Sequence, residues 1–571
     1  MKNLFASKYW WLYLVVAVAG INYLASQLHY RLDLTQEKRY TLSAPTKKLL
    51  HSLSDQVTIT VLLEGEMPAG FKRLSNTTRE LLRNFKEEGN ANIQFRFVKP
   101  GTESGDSTGA YSMDSLVAMG LSPTNVRIKV KEGEGEEQRY LFPGALVSYH
   151  NRTIPVEFLQ GTKADDNNPL ATLNNAETLL EYKFAAAIQK ATTENFSVIG
   201  YLIGNGEPLT ENVKDLIDGT LKPNYGFGII PIDSVPVIPS DFQAIMIVKP
   251  IIPFTDKQKL KIDQYIMNGG KVIWLIDKLN ANMDSLMRKQ SDFVAFDFGL
   301  NLDDQLFKYG VRINPELVQD LQCDRLPLVV GNYGDKPQMQ LVPWPYFPLL
   351  SSYSGHPIAK NMDMVQSMFP NSIDTVKVNG IRKTILLATS ANARTFPTPA
   401  IVSLNSLKTE EDMKTFNKAN IPVAVLLEGR FTSLYTSRLS REAMDSMAGY
   451  YKQPFRAAPA ADNKMIVIAD GDIVTNVVTP SQGPLTMGFN QFTSYQYANK
   501  DFILNCIEYL VNPSNILETR SKDYTLRQLD PEKVAQEKTQ WQLINIGVPV
   551  LLVILFGFIY QALRKRKYKG L

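Results

Sequence analysis

Cysteine and histidine are scarce, at two and four in 571 residues. Cys323 lies in DLQCDRLP and Cys506 inside the helical run DFILNCIEYLV, so neither follows a buried strand into a helix as a nucleophilic cysteine would. The two can pair in an oxidising compartment, and spacing alone leaves that open. His29, His51, His150 and His356 are far apart in sequence and supply no HxxxH pair for zinc. A Gly-Lys-Ser/Thr phosphate loop is missing, so ATP-driven work would need a separate ATPase. The G-x-S-x-G match from Gly105 to Gly109 falls in PGTESGDSTGA, a loop of small polar residues, whereas a serine nucleophile needs a strained strand-to-helix turn. These gaps argue against an enzyme, and no cofactor is expected.

Charge is absent from two stretches. Tyr9 to Tyr30, with WWLYLVVAVAGINYLA, and Thr539 to Leu563, with VPVLLVILFGFIY, contain no Asp, Glu, Lys or Arg. Each is long enough to cross a bilayer as a helix. Trp10, Trp11 and Tyr13 sit at one end of the first, and Trp541 and Tyr560 bracket the second, as interfacial aromatics do. The first run is longer than a signal-peptide core, so an uncleaved anchor is expected despite the small Ala25 and Ser26. Lys2 and Lys8 precede the first run, and Arg564, Lys565, Arg566, Lys567 and Lys569 follow the second. Basic flanks predict both termini in the cytoplasm, two spans in the inner membrane, and a periplasmic bulk from Arg31 to Lys538. Those tails hold seven of the 61 basic residues, which leaves 54 against 57 acids, a net −3, in the remainder. The overall +4 therefore reflects topology, and nucleic acid is not an expected partner.

The predicted organisation is a cytoplasmic tail and first span (1–30), an extracytoplasmic mixed α/β domain (31–163), and a larger α/β region (164–512). A stalk (513–540), a second span (541–563) and a basic tail (564–571) follow. In the first domain Ser43 is a candidate N-cap with Pro45 in the first turn behind it. VTITVLLEG alternates as a strand, a helix ends near KEEGN with Leu81, Leu82 and Phe85 inward, and IQFRFVKP is a second strand. VRIKVK with RYLF, and GALVSYHNRTIPVEF turning at His150-Asn151, read as hairpins. A long helix carries Leu180, Phe184, Ala187 and Ile188. Buried strands FSVIGYLIG, FQAIMIVKP, KVIWLID and KMIVIADGD then alternate with helices, one of them marked by Val213, Leu216 and Ile217. Thr255 and Gln258 form a capping-box pattern, and DFILNCIEYLV closes the region. Apolar strands alternating with helices predict a doubly wound, mostly parallel α/β sheet, amidotransferase-like in outline. Residues 300–460 are rich in Pro and Gly and show only ILLATS and IPVAVLLEG as clear strands. Asp530-Pro531 opens a run with no breaker before the second span, predicting one helix that continues outward from the bilayer.

Candidate ligand positions lie where these strands end, the edge at which open α/β sheets bind ligands. GNGEP after the first strand supplies Asn205 and Glu207. It fails as a dinucleotide fingerprint because Leu209 holds the third glycine position, and Glu207 would repel a phosphate, so a structural corner is the favoured reading. Lys249 and Asp277 end the next two strands. Asp470 and Asp472, in ADGD, are a possible metal pair, though such residues more often cap a βα turn. No metal site is assigned.

RLDLTQEKRYTLS after an N-terminal anchor, IGYLIGNGEP, IDQYIMNGGKVIWLID, GHPIAKNM, ADGDIVTN and a C-terminal anchor with a basic tail together resemble the GldG-type gliding-motility-associated ABC transporter proteins. The resemblance covers nearly the whole chain and rests on motif order. It implies a substrate-binding-like or auxiliary subunit that works with an ABC permease subunit and an ATPase subunit. It supplies no ligand residues. Two alternatives stand beside it. A polysaccharide chain-length or export scaffold shares the two-anchor topology, but such proteins favour long helices over glycine-punctuated α/β units. An amidotransferase-like or hydrolase enzyme fits the sheet but lacks a placed nucleophile.

Overall fold

The computed structural model describes residues 15, 16, 18–20, 22, 41–89, 92–100, 112–129, 136–159, 169–193, 196–283, 292–333, 336–404, 410–442, 444, 445, 449, 454–521 and 531–568. It divides into two units, 1–522 and 523–571.

In the first unit α1 (Ala44–His51) leads to a four-stranded sheet built from β1 (Val57–Val61), β2 (Ile93–Phe97), β5 (Gly144–Tyr149) and β6 (Arg152–Glu157). β3 (Thr124–Lys129) and β4 (Glu136–Leu141) form a separate antiparallel hairpin. The sheet order is β2-β1-β5-β6; β1 and β2 are parallel, joined through α2 (Ala69–Glu88), and the other pairs are antiparallel. The β5–β6 turn is at His150, which takes a left-handed φ of 49°. Alternation puts Val57, Ile59 and Val61 against Leu82 and Phe85 of α2 and against Leu180, Phe184 and Ile188 of α3 (Pro169–Thr192). Each such fully buried side chain contributes roughly 1.5–3 kcal/mol. Ser43 does stand at the N-cap of α1, but its hydroxyl makes no cap bond: it donates instead to Glu181 Oε1 at 2.7 Å, tying α1 to α3.

The large sheet has ten strands. Its continuous path uses β7 (Val198–Ile203), β8 (Gly226–Pro231), β9 (Phe242–Val248), β10 (Lys271–Leu275), β11 (Cys323–Tyr333), β12 (Lys336–Ser352), β13 (Ile381–Ala388), β14 (Pro422–Gly429) and β15 (Asn463–Ile468). The order is β11-β12-β13-β14-β15-β10-β9-β7-β8. From β15 to β8 every pair is parallel; from β15 to β11 every pair is antiparallel. The sheet is therefore mixed, where a mostly parallel, doubly wound one is expected from the sequence. The difference arises in 300–460. There the β11–β12 hairpin carries Pro327, Pro337, Pro343, Pro345 and Pro348, which interrupt the period-2 pattern but are tolerated where ladder donors are dispensable.

Both faces of the parallel half are covered, which is why its strands read as unbroken apolar runs. Along β9, Ala244, Met246 and Val248 enter one core and Ile245 and Ile247 the other; Ile273 and Leu275 of β10 separate from Val272 and Trp274 in the same way. α5 (Asn499–Val511) closes the first face with Phe502, Ile503, Ile507 and Cys506, whose thiol is buried and free; Cys323 is also unpaired. α4 (Asp256–Met267) closes the second with Ile262, Tyr265 and Ile266, and its start carries the expected Thr255–Gln258 capping box. The helix expected around Val213, Leu216 and Ile217 is a composite of a 3-10 turn (Glu211–Val213), one α turn (Lys214–Leu216) and a wide turn (Ile217–Leu221). Thr220 Oγ1 donates to the Asp215 carbonyl at 2.9 Å there, and Lys222 N reaches Ile217 O, five residues back.

The second unit is α6 (Pro531–Tyr568), 38 residues without interruption despite Pro549. Its segment Gln536–Arg566 is long and apolar enough to cross a membrane. The expected first span, Tyr9 to Tyr30, lies mainly outside the described residues, and six positions within it are helical. The Gly105–Gly109 match lies outside them entirely.

Candidate functional site

Numbered along the chain, the parallel strands stand in the order 2-1-3-4-5, as β8-β7-β9-β10-β15. Successive connections therefore leave β7 and β9 in opposite directions, opening a crevice beyond their carboxyl ends. The sequence-predicted residues leave the sheet along this edge: Asn205 and Glu207 after β7, Lys249 after β9, Asp277 after β10, Asp470 and Asp472 after β15.

Four of them converge. Lys249 Nζ lies 3.2 Å from Asp277 Oδ2 and is bonded directly to Asp472 Oδ1. The carboxylates of Asp277, Asp470 and Asp472 offer oxygens all within 4.8 Å of one another. Asp277 Oδ1 accepts from Gly471 N at 2.5 Å, and Asp470 Oδ1 from Asp472 N at 2.7 Å; the N-cap of the 3-10 turn Asp472–Val474 is Gly471, without a side-chain cap bond. Asp470 is fully buried. Lys249 holds a left-handed φ of 48°, which aims its side chain across the strand ends. Gly471 permits the approach, since a Cβ there would meet Lys249 Cβ at 2.8 Å.

Burial alone would lower the Lys249 pKa, but the charges of Asp277 and Asp472 outweigh it and raise it. Burial raises Asp277, with Lys249 partly opposing. Burial, reinforced by Asp472 and Asp277, lifts Asp470 well above the usual carboxylate range. The ammonium thus supplies the positive charge that a cation would bring to three clustered carboxylates. Lys249 and Asp472 keep some exposure, at 21% and 10% of their side chains, while Asp470 and Asp277 face inward.

Asn205 and Glu207 belong to a separate corner. Glu207 Oε2 accepts from Asn205 N at 2.7 Å, and the Asn205 carbonyl accepts from Ile251 N and Ile252 N, both at 2.9 Å. Asn205 Nδ2 reaches Pro253 O and Gln258 Oε1 at 3.2 Å. Burial raises the Glu207 pKa. Gly204 and Gly206 adopt φ of 140° and 83°. The turn is laced to the start of α4, as a structural corner requires.

Sequence reasoning missed the support from residues 367–371, which run from a short strand of the large sheet (Val365–Gln366) into a separate three-stranded sheet that begins at Asn371. Ser367 Oγ and Met368 N both donate to Asp470 Oδ2, at 2.5 and 2.8 Å. Asn371 accepts from Lys278 N through Oδ1 at 2.7 Å, and its own N–H donates to Ala469 O at 2.8 Å, bracing the ends of β10 and β15. QSMFPNS carries no signal of this; only the long-range pairing brings it to the edge.

Comparison with known proteins covers most of the chain. A family described as "ABC-type uncharacterized transport system" matches residues 197–506. A domain of unknown function, DUF7088, matches residues 36–148. An uncharacterized protein of Borreliella burgdorferi is 19% identical over 436 residues, 74% of this chain and 77% of that protein. Among solved structures, the "mmIFT52 N-terminal domain" aligns with a TM-score of 0.30 at 13% identity, covering 55% of this chain and 98% of that one. The exo-beta-1,4-mannosidase Op5Man5 from Opitutaceae bacterium strain TAV5 aligns with a TM-score of 0.19 at 10% identity, covering 76% of this chain and 51% of that one. Neither likeness is deep enough to transfer a ligand or an activity.

Proposed function

Because the chain belongs to the family of ABC-type uncharacterized transport systems, of the auxiliary kind, we propose that it is a membrane-anchored subunit coupling an extracytoplasmic α/β region to an ABC permease and an ATPase. Two observations support this beyond the family. The chain carries no phosphate loop of its own, so the energy of ATP would have to come from another subunit. The one that carries the reading is α6: 38 residues at 1.5 Å each make about 57 Å, against a bilayer core of about 30 Å. Such a helix reaches well past the membrane on at least one side, the form expected of an element that links a membrane partner to an outer domain.

The finer setting is part of the same proposal. Both termini are cytoplasmic, a first span at Tyr9 to Tyr30 complements α6, and the bulk is periplasmic. The proposed domain division is 31–163 and 164–512, and the order of motifs supports a gliding-associated type of system. Substrate-binding-like behaviour is proposed for the sheet edge, with Lys249 and Asp472 as the accessible pair and Asn205, Glu207, Asp277 and Asp470 as the residues that hold the edge in shape. Affinity purification of the full chain in mild detergent tests the central claim. Recovery of an ATPase and a multispan permease is the expected result; recovery of polysaccharide-export components, or of no membrane partner, would overturn it.

A further inference from the structure

A cavity of about 600 Å³ lies away from the sheet edge, between α3 and α5, with β6 and the segment after α5 completing its wall. That is the size of a small-molecule site. Its charges come from Lys183 and Lys190 of α3, Asp501 and Glu508 of α5, Glu157 of β6 and Arg520 from the turn after α5. Ala186 and Leu504 make the apolar floor between them.

Two of these groups are incompletely matched by the protein. Arg520 is 4% exposed. Its guanidinium lies over the Tyr182 ring, 5.0 Å from the centroid, and donates to Lys360 O, Asn361 O and Asn505 Oδ1 at 3.3–3.4 Å, beyond the usual 2.7–2.9 Å of a charge-assisted bond. Among the described residues no carboxylate pairs with it. Asp501 faces the same space; its carboxylate accepts from its own backbone N–H and feels the charges of Lys183, Arg520 and Lys500, but among the described residues no side chain is hydrogen-bonded to it. A buried guanidinium held by long contacts to neutral oxygens, and a carboxylate hydrogen-bonded to its backbone but to no side chain among the described residues, both keep bonding capacity that a ligand can complete.

We propose that this cavity binds a small zwitterion, an amino acid or a molecule of similar size bearing an ammonium and a carboxylate. The ligand carboxylate meets Arg520, its ammonium meets Asp501, and its body lies over Ala186 and Leu504. Lys183 completes the carboxylate end. Its own Nζ already donates to Glu157 O and Phe158 O at 2.9 and 2.8 Å, which fixes it at the cavity wall. Burial pushes its pKa down to about 7, opposed by Asp501, so an incoming anion would draw it back toward the charged form. The site requires no transporter partner, so its test is independent of the coupling role proposed above.

The full chain in mild detergent is screened by ligand-observed NMR against a mixture of L-amino acids at millimolar concentration. The strongest binder is then measured by calorimetry beside its N-acetyl and methyl ester derivatives. Binding is expected for the free amino acid, with at least about a tenfold loss for each blocked derivative and for Asp501→Asn and Arg520→Gln. Ala186→Phe fills the cavity without touching a charge and is expected to abolish binding while leaving the unfolding midpoint in place, which keeps the test decisive if Arg520→Gln fails to fold. Absence of any amino-acid binding, equal binding of the blocked derivatives, or unchanged binding by Ala186→Phe would each overturn the proposal.

Discussion

Replacing Lys249 by methionine removes the cation that joins the ends of β9, β10 and β15 among the described residues. Methionine keeps the stem and its packing, so the change is mainly one of charge. Three carboxylates with oxygens within 4.8 Å of one another are then left without it. At an effective dielectric of about 20, two unit charges at that distance repel by about 3.5 kcal/mol. Proton uptake limits the total, so the expected loss is about 3–5 kcal/mol at neutral pH, the range for breaking a buried pair from one side. The pH dependence carries the sign. Unfolded aspartates titrate near 3.9. In the variant the folded pKa values of Asp277 and Asp470, already raised by burial, rise further as Lys249 is lost. Across the interval above 3.9 the folded state then holds more protons than the unfolded one, so stability falls as pH rises. Urea unfolding of the full chain in mild detergent, at pH 5 and pH 8, should show the larger deficit at pH 8. Adding Asp472→Asn should restore part of it, with a coupling of about 1–3 kcal/mol. A deficit below about 1 kcal/mol, or one equal at both pH values, would refute the account of Lys249 as the internal counter-charge.

Gly206→Val should destabilise the chain by about 2 kcal/mol or more, because φ is 83° and a Cβ would meet Ile251 Cγ1 at 2.5 Å; unchanged unfolding with loss of partner recovery would make the corner functional instead. His356 accepts from Ile358 N through Nδ1, and burial lowers its pKa from 6.5 to about 4, with Glu428 opposing. The unfolded chain binds that proton first, so stability falls as pH drops from 6.5 to 4, and His356→Gln should flatten this stretch by on the order of 1 kcal/mol after solvent screening; an identical slope in both proteins counts against it. Reporter fusions at the C-terminus and within Pro100–Ala110 should report opposite compartments, and one compartment for both would end the two-span topology. A glycine-rich insertion between Lys538 and Trp541 should leave partner recovery intact but stop transport or gliding, since a flexible joint transmits little orientation; normal function would leave α6 a passive tether.

The legible parts of the fold are those where local pattern and tertiary environment agree. β7, β9, β10 and β15 read as strands because each is apolar on both faces, and that follows from coverage by α4 and α5. Lys249, Asp277, Asp470 and Asp472 were legible as a group for a related reason: the first three are each the first charged residue after a buried strand, Asp472 follows two residues after Asp470, and parallel strands bring such residues to one edge. The β11–β12 hairpin was not legible, because its prolines erase the period on which strand reading depends. Ser367 and Asn371 were hidden with it. Nothing in the local sequence marks Asp501 or Arg520, and only the approach of α3, more than three hundred residues earlier, gives them a shared cavity.

The place of β15 has a consequence for biosynthesis. Val272 of β10 pairs with Met465 of β15, almost two hundred residues later. A chain emerging from its N-terminus can assemble β7 to β10 early, but the far side of β10 then waits as an open ladder of Val272, Ile273 and Trp274. Contacts of such sequence separation form slowly, and an unpaired apolar edge invites aggregation in the interval. The nascent protein is therefore expected to lean on a holdase until its last strand arrives. Truncation between Leu275 and Asn463 should yield an insoluble product rather than a smaller folded one.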